Sequence, residues 1–236
     1  MPDPFRIDYI FRFRSGETRE FSLDLDEVTL SLRPPGNVAH PPWVSLNFHN
    51  CPECSLDPSA NTCCPIACHL AEVVEAFRDH NSYDEVRVEV RVKERSYLKE
   101  TTLQDGLGSL AGVIMATGGC PVLELLKPMA RFHLPFATVE ETEFRMISMY
   151  LVAQYILQTR GGKPDWSLEG LAETYARVER VNHAFVERIR AASVKDAGVN
   201  AIVRLDCFAK SIPVAVRTMM REYEHYFAPY FRHSAG

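Results

Sequence analysis

Residues 49–69 read HNCPECSLDPSANTCCPIACH and hold five of the chain's seven cysteines, with a histidine at each end. Cysteine thiolates and histidine imidazoles are the usual protein ligands of zinc, and two cysteines separated by two residues can bind one ion. Cys51 and Cys54 have this spacing, and a second pair, Cys64 and Cys68, follows ten residues after Cys54. The stretch therefore predicts a metal-binding knuckle.

The second cysteine pair lies where a helix is expected to begin. Pro65 is a favoured first helical residue, and apolar residues follow at helical spacing to about residue 79. Residues four apart share one helix face, so both sulfurs of this pair can turn towards the knuckle. Four thiolates leave no open coordination position, which is typical of a structural zinc site. The predicted ligands are Cys51, Cys54, Cys64 and Cys68, with His49, His69 and Cys63 as alternatives for the last position.

Iron–sulfur chemistry, core packing and disulfides are the alternatives to zinc for these cysteines. An iron–sulfur cluster is the alternative cofactor, but no run of three closely spaced cysteines is present. Single cysteines are often small buried apolar residues, although five within this short stretch are hard to explain as packing. Disulfides are disfavoured because the start, MPDPFRIDYIF, has prolines and an acid where a secretory signal needs an apolar segment. We expect a cytoplasmic protein with reduced or metal-bound thiols.

Composition argues against two classes of partner. The chain has 236 residues and a formal net charge of −5, and its arginines are interleaved with acids, which disfavours binding to nucleic acid. No uninterrupted apolar run approaches the ~20 residues of a membrane span, so no membrane partner is expected. The length allows one large domain with a substantial core.

The hydrophobic pattern changes once along the chain, and it predicts an α+β fold. Alternation with period two over the first hundred residues indicates about five antiparallel strands, including stretches at 28–32, 43–48 and 84–99, with one helix at about 65–79. From Leu103 the spacing is helical and stays so, which predicts a C-terminal helical layer. The expected regions are 1–100, the sheet with the knuckle, and 101–236, the helical layer, packed together as one integrated domain.

Two helices of the second half carry further predictions. Thr138 is expected to cap a helix over 139–159. The longest helix, from about 168 to 192, has an apolar stripe on one side and a densely charged opposite side. Five aromatic residues among the last fourteen are unlikely to stay in water, so the tail should pack on its own helical layer or on a second copy, with a homodimer slightly favoured.

A second candidate site lies at Gly118-Gly119-Cys120-Pro121. A cysteine at a helix start has a lowered pKa and lies near free backbone N–H groups, which is how a nucleophilic or redox thiol is activated. His133, thirteen residues on, would be its base or a co-ligand. Against this, two glycines before a helix are ordinary, and single cysteines and histidines are usually part of the core. The sequence leaves open whether the protein is an enzyme.

Several motifs together resemble a known family. Cys-x-x-Cys, Cys64-Pro65, Gly119-Cys120-Pro121, His133-Leu134-Pro135-Phe136 and Glu141-Thr142 are similar to a family of uncharacterised bacterial proteins. The resemblance covers most of the chain and implies a bacterial cytosolic origin, but no activity. The function expected from the residues is therefore a zinc-stabilised interaction or regulatory protein with an unidentified protein partner.

Overall fold

The computed structural model describes residues 4–34, 41–192 and 195–232, with backbone alone for residues 213–220. An antiparallel sheet comes first and a helical layer follows, which confirms the predicted α+β class. The sheet has the strand order β2-β1-β3-β4. Its strands are β1 (Phe5–Phe13), β2 (Thr18–Leu25), β3 (Glu85–Val92) and β4 (Arg95–Thr102). The helices are α1 (Pro65–Ala76), α2 (Leu103–Thr117), α3 (Lys127–Arg131), α4 (Val139–Thr159), α5 (Glu169–Ala192), α6 (Ala197–Tyr223) and α7 (Ala228–Phe231).

The described sheet has four strands where about five were expected, and three stretches account for the difference. Residues 28–32 begin in a turn, in which the Asp26 carboxylate accepts the backbone N–H groups of Val28 and Thr29, and they pair with β2 through a single bridge between Leu32 and Leu25. Residues 43–48 begin in a 3-10 helix, Pro42–Val44, and pair with the chain near Cys63 through a single bridge. The stretch 84–99 is two strands, β3 and β4, joined by a tight turn.

The two faces of the sheet differ as the alternation predicts. Ile7, Tyr9 and Phe11 of β1 are fully buried and face the helices. The opposite face carries ion pairs, including Arg12 and Arg91 on either side of Glu89. One face of the sheet therefore covers the core, and the other is polar.

Helix α2 lies at the centre of the molecule, in contact with β3, β4, α1, α3 and α6. Gly106 allows this close packing, because a Cβ atom there would lie 2.8 Å from carbons of both Phe11 and Val88. Helix α5 packs along α6 and buries the predicted stripe. The expectation that it is the longest helix is wrong, because α6 has 27 residues and α5 has 24. Thr138 caps α4 as expected, in a reciprocal pair of hydrogen bonds with Glu141. The sheet and the helices thus share one continuous core.

Candidate metal centre

Four cysteines from three separate segments line one small cavity of about 30 Å³. They are Cys51 and Cys54 of the knuckle, Cys64 before α1, and Cys120 in the connection after α2. Val181, Phe185 and Arg188 of α5 form another wall of the same cavity. Its volume is close to that of one or two water molecules, so it suits an ion better than an organic substrate.

The knuckle is held against α5 by charge. Cys51 and Cys54 lie on a tight turn, in which the Cys54 N–H donates to the Cys51 carbonyl oxygen at 3.0 Å. Glu53, between them, accepts hydrogen bonds from Arg177 at 2.9 Å and Arg180 at 2.6 Å. These two guanidinium groups lower the pKa of Glu53. The turn that presents the first two thiols is therefore fixed by a bridge to the long helix.

Cys64 and Cys120 are each placed before a helical segment, with N–H groups directed at the sulfur. The Cys64 N–H donates to the Val44 carbonyl at 2.9 Å, and Cys64 is the extended residue that precedes α1. Burial raises the pKa of both thiols, and backbone hydrogen bonds from Ala67 and Ile66 to Cys64, and from Leu123 and Val122 to Cys120, oppose that rise. Such N–H donors stabilise a sulfur that carries negative charge.

Burial has the larger effect on these thiols. It raises the pKa of Cys51, Cys64 and Cys120, and the neighbouring thiols of the cluster raise it further. The lowered pKa expected for Cys120 at a helix start is thus opposed by its surroundings. Without a cation, the cluster favours neutral thiols, and a bound cation would favour the thiolates instead.

Arg188 is the cationic residue of the cavity. It is 3% exposed, and its Nη1 donates to the carbonyl oxygens of Trp43 at 2.7 Å and Ser45 at 2.6 Å. Among the described residues, no carboxylate forms an ion pair with it. Burial lowers the pKa of Arg188, and negative charge on Cys64, Cys51 and Cys54 would raise it. A buried charge normally has a partner of opposite sign, and thiolates in this cavity would supply one.

The other predicted ligands lie elsewhere, with one exception. Cys68 is joined to Cys63 in a disulfide, and neither residue lines the four-cysteine cavity. His69 lies against Gly118, and burial lowers the pKa of its imidazole. His49 does line the cavity. Among the described residues, no group of three or more His, Cys, Asp or Glu side chains is arranged so that it could hold a metal ion.

Cys120 and His133 line different cavities, and no contact between them is found in the described part of the chain. The His133 Nε2 forms a hydrogen bond of 2.5 Å with the Tyr9 hydroxyl. Burial, with Arg145 nearby, lowers the pKa of His133 to about 3, so the imidazole is neutral at physiological pH. The structure therefore places the two candidate catalytic residues apart.

Arg188 is the important residue that the sequence prediction missed. The charge pattern of the long helix predicts it on the solvent-facing side. However, it lies three residues after Phe185 and seven after Val181, and both of these are buried. Helical spacing thus contained a signal that Arg188 lies at the edge of the buried stripe.

The chain belongs to the family described as Domain of unknown function (DUF6901), whose model matches residues 7–228. The matched range includes all four cysteines of the cavity, and it confirms the expected resemblance to a family without an assigned activity. No curated protein and no solved structure matches the chain. Among the helices of the described residues, none is both long and apolar enough to cross a membrane.

Proposed function

We propose that this member of the family binds one zinc ion through Cys51, Cys54, Cys64 and Cys120, and that the ion has a structural role. The observation that carries the proposal is the gathering of these four thiols around one cavity of ionic size. The set keeps three of the predicted ligands and replaces Cys68 with Cys120. Four thiolates complete the tetrahedral coordination of zinc and leave no position for a substrate.

Charge supports the same assignment. Zinc with four thiolates has a net charge of about −2, and a buried cation beside it reduces the cost of removing that charge from water. Arg188 is such a cation. The N–H groups around Cys64 and Cys120 would also stabilise the thiolate forms. The ion would join the knuckle, the start of α1 and the connection after α2 against α5, and a protein stabilised in this way fits an interaction or regulatory role.

Metal analysis of matched serine variants tests the ligand set. We expect about one zinc per chain in the wild type. Cys120→Ser should lower the zinc content and the melting temperature, whereas Cys68→Ser should keep the metal. Cys207→Ser is the control, because Cys207 is an exposed cysteine outside the cavity.

Each alternative has its own result in this experiment. Loss of zinc from Cys68→Ser but not from Cys120→Ser would restore the ligand set expected from sequence. Brown colour and visible absorption after anaerobic purification would indicate an iron–sulfur cluster. Rapid alkylation of Cys120 near neutral pH would favour a nucleophilic thiol. A metal-free wild type whose melting temperature does not respond to added zinc would refute the proposal.

We infer in addition that two copies of the chain associate through the outer face of α4. Val152, Tyr155 and Ile156 recur at helical spacing on this helix, and each is at least 43% exposed. The C-terminal aromatic segment begins beside the same helix, where Phe144 contacts the rings of Tyr223 and Phe227. These two features form one apolar surface that a second copy could cover.

Light scattering of two variants tests this association. Removal of the residues after Glu222, or replacement of Tyr155 with Glu, should convert a dimer into a monomer. Leu98→Glu is the control, because Leu98 is also an exposed apolar residue but lies on β4. A wild type that is monomeric at high concentration would contradict the inference.

A further inference from the structure

A second cavity, of about 350 Å³, is lined by residues of α5 other than those that line the thiol cavity, and it has no role in the proposed metal centre. Its walls come from α2, α3, α4, α5 and α6. Its volume is at the lower end of the range for small-molecule sites, which is about 300–1,000 Å³. Most of the lining is apolar, including Val113, Met115, Leu123, Leu126 and Phe208.

The charged residues around this cavity are mainly basic. Lys99, Arg145 and Arg204 line it together with one acid, Asp105. Arg204 pairs with Asp105 at 2.8 Å near the surface, and the exposed Lys99 lies 5.9 Å from the centre of the Phe136 ring. The surplus of positive charge attracts anions to the opening.

Arg145 is the cation that a ligand would meet inside. Its Nη2 donates to the carbonyl oxygens of Met129 at 3.0 Å and Phe132 at 2.5 Å. Within the described ranges, no carboxylate lies at ion-pair distance from its guanidinium group. Burial lowers the pKa of Arg145, which shows that its charge is partly removed from water. A guanidinium in this position has N–H groups left to bind an anion.

Two neighbouring polar side chains make no hydrogen bond with any described residue. Asn182 and Tyr175 are seven residues apart on α5, both line the cavity, and they are 3% and 4% exposed. In the part of the chain that the structure describes, neither the Asn182 amide nor the Tyr175 hydroxyl makes a hydrogen bond. Neither group is among the fully buried polar atoms without a partner, so both keep access to the cavity. Two such groups on one wall point to a polar ligand group that would complete them.

His133 adds a neutral group to the same wall. Its Nε2 forms a hydrogen bond with the Tyr9 hydroxyl, and that hydroxyl also forms a hydrogen bond of 2.9 Å with the Ser109 hydroxyl. No described residue partners the Nδ1 atom. This network fixes the ring in place and leaves one ring nitrogen to face a ligand.

We propose that this cavity binds a small organic monocarboxylate, with its carboxylate at Arg145, Asn182 and Tyr175 and its apolar body among the side chains of α2 and α3. The guanidinium and the two unpartnered groups supply donors for both carboxylate oxygens. The apolar lining supplies the remaining affinity through burial of the ligand body. The chemical class is therefore an acid with a medium-length aliphatic chain or a single aromatic ring.

Calorimetric titration with matched probes tests the proposal. Decanoate and 4-phenylbutyrate carry the carboxylate on an aliphatic and an aromatic body, and decanol is the uncharged comparison. We expect decanoate or phenylbutyrate to bind at least about tenfold more tightly than decanol, since a hydrogen bond to a charged group is the stronger kind. Whichever acid binds more tightly identifies the kind of body.

Three variants locate the site. Arg145→Met should weaken binding of the acid by about tenfold to a hundredfold and leave binding of decanol unchanged. Asn182→Leu should also weaken binding of the acid, but without loss of thermal stability, because it removes an unpartnered polar group. Gly112→Leu should block acid and alcohol alike, since Gly112 lines the cavity and its Cβ position is open. Melting curves show whether each variant is folded.

Several results would overturn the proposal. Equal affinity for decanoate and decanol would remove the role of the carboxylate. Unchanged binding in folded Gly112→Leu would place the ligand elsewhere. Absence of binding by both acids would refute the assignment of the cavity. Metal analysis of the same preparations shows separately whether zinc is bound, so failure of this site and failure of the zinc site can be told apart.

Discussion

Replacement of Arg188 with methionine tests the buried charge that links the thiol cluster to α5. Methionine keeps much of the apolar length of the side chain but removes the guanidinium. The change removes the guanidinium donor from the carbonyl oxygen of Trp43, at 2.7 Å, and from that of Ser45, at 2.6 Å, which also accepts the N–H of Phe48. Hydrogen bonds to a charged group contribute about 1.5–3 kcal/mol each, partly offset because the charge no longer has to be buried. We expect a loss of about 3 kcal/mol in the free energy of unfolding.

The neighbouring Arg190 provides the control. It lies on the same helix, its side chain is 57% exposed, and its ion pair among the described residues is with Glu187, one turn away. Arg190→Met should change the free energy of unfolding by less than about 0.5 kcal/mol, because exposed ion pairs contribute little. Urea unfolding, followed by circular dichroism at constant zinc, measures both variants.

A double-mutant cycle then separates the contribution that Arg188 makes through the thiolates from the contribution that it makes through the backbone carbonyls. Arg188→Met should lower the free energy of unfolding more in the wild type than in Cys64→Ser, by about 1 kcal/mol or more. The reason is that the serine variant lacks one of the negative charges that face the guanidinium. A coupling free energy near zero would show that Arg188 serves only the backbone. If Arg188→Met were as mild as Arg190→Met, the assignment of Arg188 as a buried structural cation would be wrong.

Three further predictions concern the scaffold. Gly106→Ala should destabilise the protein by about 1–3 kcal/mol because its Cβ would overlap the sheet, while Gly108→Ala, whose nearest neighbour would be 3.6 Å away, should be neutral or stabilising; thermal unfolding compares them. Two arginines, Arg91 and Arg12, lower the pKa of Glu89 to about 2. The ionised Glu89 carboxylate therefore makes its full contribution to the stability of the protein above pH 4.5, and this contribution is lost as the pH falls towards 2. Glu89→Gln should therefore flatten the acid limb of the stability curve, by about 1 kcal/mol at most for a pair close to solvent. Thr138→Ala should cost about 1 kcal/mol through loss of the α4 cap, and chemical unfolding would detect it.

Much of the fold could be predicted because the side chains that a strand or a helix buries recur at a regular spacing, and apolar residues in the sequence follow that spacing. The alternation of β1 and β2 and the stripe of α5 are both found as expected. The errors arose where the burial pattern of a segment does not match its backbone conformation. Val44 and Leu46 are buried two residues apart, as in a strand, but Val44 lies in a 3-10 helix and the segment makes only two backbone hydrogen bonds with residues 62–64. Alternation alone does not distinguish a strand from such a segment.

The choice between Cys68 and Cys120 as the fourth ligand shows a similar limit of prediction from local spacing. The expectation that Cys64 and Cys68 share a helix face requires both residues to be helical. Cys64 precedes α1 in an extended conformation, with φ −68° and ψ 119°, so its side chain does not follow the helical period. Cys120 is brought to the cavity by the packing of α2 beside α1, which is a tertiary contact. No local spacing could have paired cysteines 56 residues apart.

The two proposed sites share walls, and this arrangement connects the structural role of the metal to the binding role of the larger cavity. On α5, Phe185 and Arg188 line the thiol cavity, while Tyr175 and Asn182 line the larger one. The connection after α2 does the same, with Cys120 on one side and Leu123 on the other. A zinc ion that fixes Cys120 against α5 would therefore hold one wall of the larger cavity at a set distance from α4 and Arg145. Because binding sites depend on groups held in place before the ligand arrives, the thiol centre has a physical reason to lie behind this wall.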